Sequence, residues 1–416
     1  MTDSDATIPR RLGLFLGVEP RAGGMFQYAQ SVLEALSRLD GRYAVTIAYS
    51  DADWSPILAR LGLSGQALKH ARTGQRLADV AMALRLPGHL GRVFGRAFNP
   101  LVRELLALRC DAWIFPAQES LSYQVPAPAI GTVHDLMHRY EPTFPEVSAK
   151  GRYGIREHRF RSITSWCTGV LVDSEVGRRH VVESYGVAAA KVYPLPYVAP
   201  SYLQDAQERP DFDSHYQLPA KFLFYPAQFW PHKNHLRLLD AVHRIAERHP
   251  DIALVLSGGK HYAFEEVQRR VGELGLRGRI HFVGYVPDPD LRGFYRRARA
   301  LVMPTFFGPT NIPPLEAQAI GCPAVVSGIY GMPEQSGDAA LYFDPRSAAD
   351  MAERIAQVWS DDALAAEMAR KGLERSRQNG QPQFNQRLAE ILETVFAMPV
   401  FSKSGMSLSG AGDPNF

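Results

Sequence analysis

Residues 304–323 read Pro304-Thr-Phe-Phe-Gly-Pro-Thr-Asn-Ile-Pro-Pro-Leu-Glu-Ala-Gln-Ala-Ile-Gly-Cys-Pro323. An apolar run, Leu301 to Met303, precedes them and a second, Ala324 to Ser327, follows. The stretch therefore reads as a strand end, a Gly/Pro/Asn loop, a short helix over Pro314 to Ile320 and the next strand: one βαβ unit. Its loop sits at the carboxyl end of a strand, where open α/β sheets bind ligands. The amides and dipole of the following helix N-terminus favour phosphate. Glu316, in the first turn, can accept hydrogen bonds from sugar or ribose hydroxyls. The plainer alternative is that Glu316 complements the helix dipole and Pro313-Pro314 starts the helix.

The same alternation extends outward in both directions. In the second half, strands are expected at Phe222 to Tyr225, Ile252 to Leu256 and Ile280 to Phe282. Helices are expected at His235 to Arg248, Phe264 to Leu274, Asp290 to Arg297 and Ala348 to Trp359. In the first half, Leu12 to Val18 reads as a strand, and Gly23-Gly24 turns the chain into a helix with Phe26, Ala29, Val32, Leu33 and Leu36 at helical spacing. Further strands follow at Tyr43 to Ala48, Ala112 to Phe115, Ala129 to Val133, Gly169 to Val172 and Lys191 to Leu195. Pro196 to Pro219 has four prolines and no periodicity, and reads as the interdomain linker. The class is α/β, with two comparable halves and a cleft between them as the expected ligand site. The Ser/Gly-rich end from Phe401 reads as a disordered tail.

Composition narrows the function. At 416 residues the chain is too long for a small binding module, and its 46% hydrophobic content supports a sizeable core. With 46 Lys and Arg against 43 acids, the charge is too balanced for a dedicated nucleic-acid binder. Cys110, Cys167 and Cys322 form no Cys-x-x-Cys pair, which argues against a zinc site or disulfide framework and fits a reducing, cytosolic compartment. The acidic start, MTDSDATIPRR, lacks a secretory pattern, and no run of about 18 apolar residues is long enough to span a membrane.

Two further strand-end signals stand out. In Phe224-Tyr-Pro-Ala-Gln-Phe-Trp-Pro-His-Lys-Asn-His235, Lys233 is placed to neutralise a phosphate, against the alternative of an ordinary solvated lysine. In Gly131-Thr-Val-His-Asp-Leu136, a buried strand ends in His134-Asp135, a pair that can contact a ligand oxygen or simply fix a turn. Gly23-Gly24 permits close approach to a phosphate but belongs to no G-x-G-x-x-G fingerprint. Asp211-Phe-Asp213 has the form of a cation site yet lies in the linker, and no Gly-x-Ser-x-Gly or His-Glu-x-x-His motif occurs.

Taken in order, Gly23-Gly24, His134-Asp135, Val172-Asp-Ser-Glu175, the Pro-His-Lys233-Asn turn, Leu256-Ser-Gly-Gly259, Phe282-Val-Gly-Tyr285 and Pro-Pro-Leu-Glu316-Ala resemble the retaining GT-B glycosyltransferases of family four, from about Leu12 to Phe396. The resemblance implies an N-terminal Rossmann-like acceptor domain (1–198), a C-terminal donor domain (199–381), a helix crossing back (382–398) and a tail (399–416). It implies transfer of a hexose from a nucleotide-diphosphate sugar, GDP-mannose being the first trial, to a saccharide or lipid-linked acceptor of cell-surface polysaccharide, in the cytoplasm or at the inner face of the plasma membrane. Lys233 matches the diphosphate position, Glu316 the ribose position and His134 the contact to the transferred sugar. Gly23, Gly24, Gly259, Thr310, Asn311 and Ile312 complete the donor site. No cofactor and no metal are implied. Two departures stand against the family pattern. Gly308 occupies the position of a common Glu, with Thr310, Asn311 and main-chain amides as substitutes, and Ala227-Gln228 replaces a second cation. A GT-B nucleotide-sugar epimerase and a non-catalytic donor-binding subunit remain the competing readings.

Finally, 69–109 holds eight basic residues (Lys69, Arg72, Arg76, Arg85, Arg92, Arg96, Arg103, Arg109) against Asp79 and Glu104. With Leu77, Val80, Met82, Leu84, Leu86, Leu90, Val93, Phe94 and Phe98 interleaved, it reads either as an anionic-membrane surface or as a solvated face over the N-terminal core.

Overall fold

The computed structural model describes residues 9–19, 23–205 and 209–399. Two all-parallel sheets form the framework. The first runs β3-β2-β1-β4-β5-β6-β7, built from β1 (Arg10–Leu16), β2 (Tyr43–Tyr49), β3 (Gln66–Ala67), β4 (Ala112–Ile114), β5 (Ala129–Thr132), β6 (Gly169–Val172) and β7 (Val192–Pro194). The second runs β10-β9-β8-β11-β12-β13, from β8 (Leu223–Pro226), β9 (Leu254–Ser257), β10 (Ile280–Gly284), β11 (Ala300–Met303), β12 (Ala324–Ser327) and β13 (Ala340–Phe343).

Central strands such as Gly169–Val172 and Ala300–Met303 are short, apolar and buried throughout, because helices cover both faces of a parallel sheet. Along β1, Leu12, Leu14 and Leu16 enter one core and Phe15 the other, across the sheet. Gly13 lies on the second face, where a Cβ would fall 2.5 Å from the Trp113 ring, so no other residue fits without repacking. The second domain has one continuous core around Phe224, Leu254, Leu301 and Val325.

In both sheets the strand order reverses once, between β1 and β4 and between β8 and β11. A crevice opens at the carboxyl ends of such a pair, because the connections leave to opposite faces. The two switch points put the segments after β1, β4, β8 and β11 at the cleft, and those segments include Gly23, Lys233 and residues 304–312.

The helix Gln381–Phe396 packs on the first domain. Its Phe384, Leu388, Ile391, Leu392 and Val395 are buried in the same core as Leu12 and Leu14.

Two parts of the sequence reading need correction. The stretch 196–219 is not a bare linker: Tyr202–Asp205 and Phe212–Tyr216 are helical. Phe212 is buried against Phe294 (5.1 Å between centroids), and a Cβ on Gly293 would collide with its ring. Asp211 pairs with Arg209 and Asp213 with Arg297, so both carboxylates serve the second domain's surface. Strands β3 and β13 were also unforeseen; two residues carry no period, and β13 is an edge strand with Leu341 and Tyr342 only half-buried. The expected tail from Phe401 lies outside the described residues.

Candidate functional site

After β8 the chain makes a single 3-10 turn, Pro231–Lys233, and Asn234 takes a left-handed conformation (φ 61°) before the helix His235–Ala246. The Asn234 amide holds this turn by donating to the carbonyls of Pro304 (3.0 Å) and Pro345 (2.9 Å). The Tyr225 hydroxyl donates to the Lys233 carbonyl, and the Phe306 amide to that of His232. The turn is thereby locked to the end of β11. Among the described residues, no carboxylate pairs with the half-buried Lys233 ammonium, and burial pulls it down to about 8. An unpaired, partly desolvated cation is a ready partner for an anion.

The loop after β11 differs from its sequence reading. Of the first helical residues Ile312, Pro313 and Pro314, the two prolines carry no N–H. The Asn311 amide donates to Gln335 (2.9 Å) and the Thr310 amide to Asp173 (3.0 Å). The supply of free amides for a phosphate is therefore smaller than a generic helix start offers. Gly308 has φ 83°, and a Cβ there would fall 2.5 Å from the Thr310 carbonyl oxygen, so the loop conformation itself excludes the family's glutamate. The Asn311 side chain donates to the Phe307 carbonyl and the Thr310 hydroxyl to Asp173. Both expected substitutes are thus committed within the protein.

Glu316 is buried on the helix Ile312–Ile320. Its two oxygens accept from the Tyr202 hydroxyl and, at 2.5 Å, from the Tyr295 hydroxyl. Burial pushes the carboxyl up, and the two hydroxyls partly offset that shift. Beside Tyr202 a cavity of about 310 Å³ lies in the domain seam, lined by Phe26, Gln30, Arg60 and Asp288 among others.

From the first domain, Gly23 (φ 62°) starts the helix Gly24–Leu36, and a Cβ on Gly24 would meet the Ile312 side chain at 3.2 Å across the cleft. His134 is buried at the end of β5. Its Nε2 donates to the Pro116 carbonyl (3.1 Å), which leaves Nδ1 to accept from the Tyr197 hydroxyl (2.7 Å). Tyr197 stacks on the ring and Tyr28 meets it edge-on. Burial lowers His134 to about 4, so it is neutral at ordinary pH, and both nitrogens are occupied. Asp135 pairs with Arg156 and accepts from the Met137 amide, an arrangement that shapes the turn. After β9, Gly258 rather than Gly259 is the constrained position: its φ is 139°, and a Cβ would lie 2.3 Å from the Ala227 carbonyl.

Carboxylates bind the two domains together. Asp173 accepts from the Thr310 amide and hydroxyl, and its burial pushes it up to about 7. Glu146 accepts from the amide and ring of His232 (3.0 and 2.6 Å), and Glu141 from Tyr330 and Arg346. In return, Glu334 accepts the first amides of the helix Glu175–Tyr185. Tyr202, Tyr295, Glu146 and Glu334 carried no sequence signal, since each acts on a residue far away in the chain. Asp173 lay within the segment 172–175, which pointed to it.

Residues 208–375 match the family model of the glycosyl transferases group 1. The O-antigen chain mannosyltransferase B of Escherichia coli is 28% identical over 296 residues, 67% of this chain and 77% of that protein. The mannosylfructose-phosphate synthase of Agrobacterium fabrum is 26% identical over 63% of this chain and 62% of its own length. Among solved structures, the sucrose-phosphate synthase from Thermosynechococcus elongatus superposes with a TM-score of 0.71 at 19% identity, covering 93% of this chain and 99% of that one. Anabaena Alr3699/HepE in complex with UDP and glucose gives 0.69 at 17%, over 92% and 99%. The two facing parallel sheets are the GT-B fold.

Proposed function

From the premise that this is a GT-B glycosyltransferase with a group 1 match over 208–375, we propose that it moves a hexose, mannose before others, from a nucleotide-diphosphate sugar to a saccharide or lipid-linked saccharide of a cell-surface polysaccharide. The observation that carries this reading is the pair of groups at the β8/β11 switch point. Lys233 after β8 is an unpaired cation suited to the diphosphate, and Glu316 after β11 is a buried carboxylate suited to ribose hydroxyls. Mannose is favoured by the names of two relatives aligned over 296 and 286 residues, the O-antigen chain mannosyltransferase B and the mannosylfructose-phosphate synthase.

In the proposed reaction, the bond between the anomeric carbon and the diphosphate oxygen breaks. The acceptor hydroxyl oxygen bonds to that carbon from the same face, and its proton passes to the leaving phosphate oxygen. Negative charge grows on the diphosphate as the bond lengthens, and the Lys233 ammonium is the fixed group that meets it. His134, Gly23, Gly24, Gly259, Thr310, Asn311 and Ile312 keep their proposed places around the donor. In this reading Thr310, Asn311 and His134 must each exchange an internal hydrogen bond for one to the sugar. Transfer proceeds without a metal.

The test is incubation with GDP-mannose, UDP-glucose and other sugar nucleotides, with and without a lipid-linked saccharide extract, in excess chelator. Acceptor-dependent release of nucleoside diphosphate with retained anomeric configuration supports the proposal. Isomerised donor without acceptor would indicate an epimerase, and tight binding without turnover a donor-binding subunit.

A further inference from the structure

The helix Gly88–Phe98 is built inside out. Its buried residues are Gly88, Gly91 and Gly95, while Leu90, Val93 and Phe98 are 48%, 65% and 65% exposed. A soluble helix ordinarily turns its large apolar residues inward. Here the backbone lies too close to its support for that. A Cβ on Gly88 would fall 1.9 Å from the Trp166 indole nitrogen, and one on Gly95 would fall 3.0 Å from the Gln124 carbonyl oxygen.

The preceding helix, Ala71–Ala83, likewise turns small residues inward, Ala71, Gly74, Ala78 and Ala81, with Met82 as the one large apolar side chain buried with them. Outward, Arg72, Arg76, Val80 and, just past its end, Leu84 follow at intervals of four, one row along the helix. Gln124 lies under both helices, since its amide donates to the Ala78 carbonyl and its side chain sits beneath Gly91. Their outer faces are therefore adjacent. Val80, Leu84, Leu90, Val93 and Phe98 are half of the large hydrophobics that stand exposed among the described residues.

Charge selects the occupant. Segment 69–109 has eight Lys and Arg against two acids, whereas the whole chain is only +3, so the remainder is net negative. None of the eight pairs with a carboxylate among the described residues, and Glu104 is held by His70. A second copy would set arginine against arginine. A negatively charged lipid surface meets both features at once.

We propose that this hairpin face docks on an anionic bilayer surface, with Leu84, Leu90, Val93 and Phe98 entering the headgroup boundary and Arg72, Arg76 and Arg96 meeting lipid phosphates. The inference does not depend on the donor chemistry, and it would hold the acceptor domain where a lipid-linked saccharide resides.

The full chain should sediment with vesicles of phosphatidylcholine containing phosphatidylglycerol, stay free of phosphatidylcholine alone, and be released by salt. Arg76→Gln with Arg96→Gln should lower partitioning about tenfold or more, at about 1 kcal/mol per basic residue near the surface. Leu84→Ser with Val93→Ser and Phe98→Ser should weaken it at least as much. These side chains are exposed, so melting temperature and nucleoside diphosphate binding should not change. Absence of sedimentation at low salt, or equal sedimentation of all variants, would overturn the proposal. So would a vesicle-free dimer that the Ser variant dissolves, which would give the face to a second copy. None of these outcomes reads donor transfer, so failure here leaves the proposed reaction untouched.

Discussion

The hydroxyl of Tyr202, on the segment that joins the two domains, donates to Oε1 of Glu316. The carboxylate expected to receive ribose hydroxyls is thus already engaged, and the side chain that engages it belongs to neither sheet. With Tyr295 on the other oxygen, Glu316 keeps only its remaining lone pairs for a ligand. A donor must share this carboxylate with Tyr202 or displace it.

Tyr202→Phe removes the competing donor, so nucleoside diphosphate should bind about two- to tenfold more tightly, the worth of one hydrogen bond of about 0.5–1.5 kcal/mol. Glu316→Ala should weaken binding about ten- to a hundredfold, roughly 1.5 to 3 kcal/mol. Calorimetric titration of both variants decides the matter. Unchanged affinity in each would remove Glu316 from the nucleotide site.

Lys233 should give donor binding a pH dependence. Its ammonium is lowered to about 8 in the free protein, so it is charged below that pH and neutral above it. A bound diphosphate favours the charged form, so affinity should hold steady below about pH 8 and fall by up to tenfold per unit above it. Lys233→Met should bind weakly with no slope in this range. It should also raise the melting temperature of the free protein, because a desolvated charge is gone. A slope that survives in the variant would assign the titration to another group.

His134 should not titrate in the working range. Burial lowers it to about 4, so the rate of transfer should show no histidine step between about pH 5.5 and 8. His134→Ala should reduce turnover at least tenfold, within the range of a lost polar contact at the reacting sugar, while nucleoside diphosphate affinity stays within about twofold. Parallel loss of nucleotide affinity would show that the ring supports the cleft instead of the sugar.

Glu119 should make the fold less stable as pH rises. Among the described residues neither carboxylate oxygen has a well-formed hydrogen bond, and burial, only partly offset by the nearby backbone of Glu119 and Ala117, pushes the group up to about 8 from 4.5. The folded state therefore holds a proton that the unfolded state releases, and stability declines between about pH 4.5 and 8. Glu119→Gln should match the parent near pH 5 and melt several degrees higher near pH 8.5. Parallel melting curves at both values would mean that the carboxylate finds a partner or water.

Much of this protein was legible from local chemistry. Strand, turn and helix signals are written in consecutive residues, so the doubly wound halves and the strand ends bearing His134 and Lys233 followed from sequence. What those residues bond to did not follow, because the partner lies far along the chain. Thr310 reaches Asp173 across 137 positions, and His232 reaches Glu146 across 86. Loop chemistry was also decided in three dimensions, where Gly308 is required by its φ of 83° and by the nearby Thr310 carbonyl. The basic segment shows the division most clearly. Its sequence displayed alternating arginine and apolar residues, but not which face would be buried. Packing against Gln124 and Trp166 put Gly88, Gly91 and Gly95 inside and left Leu84, Val93 and Phe98 out. A pattern of residue types sets which faces can exist, and only the distance to the neighbouring backbone decides which of them has room to turn inward.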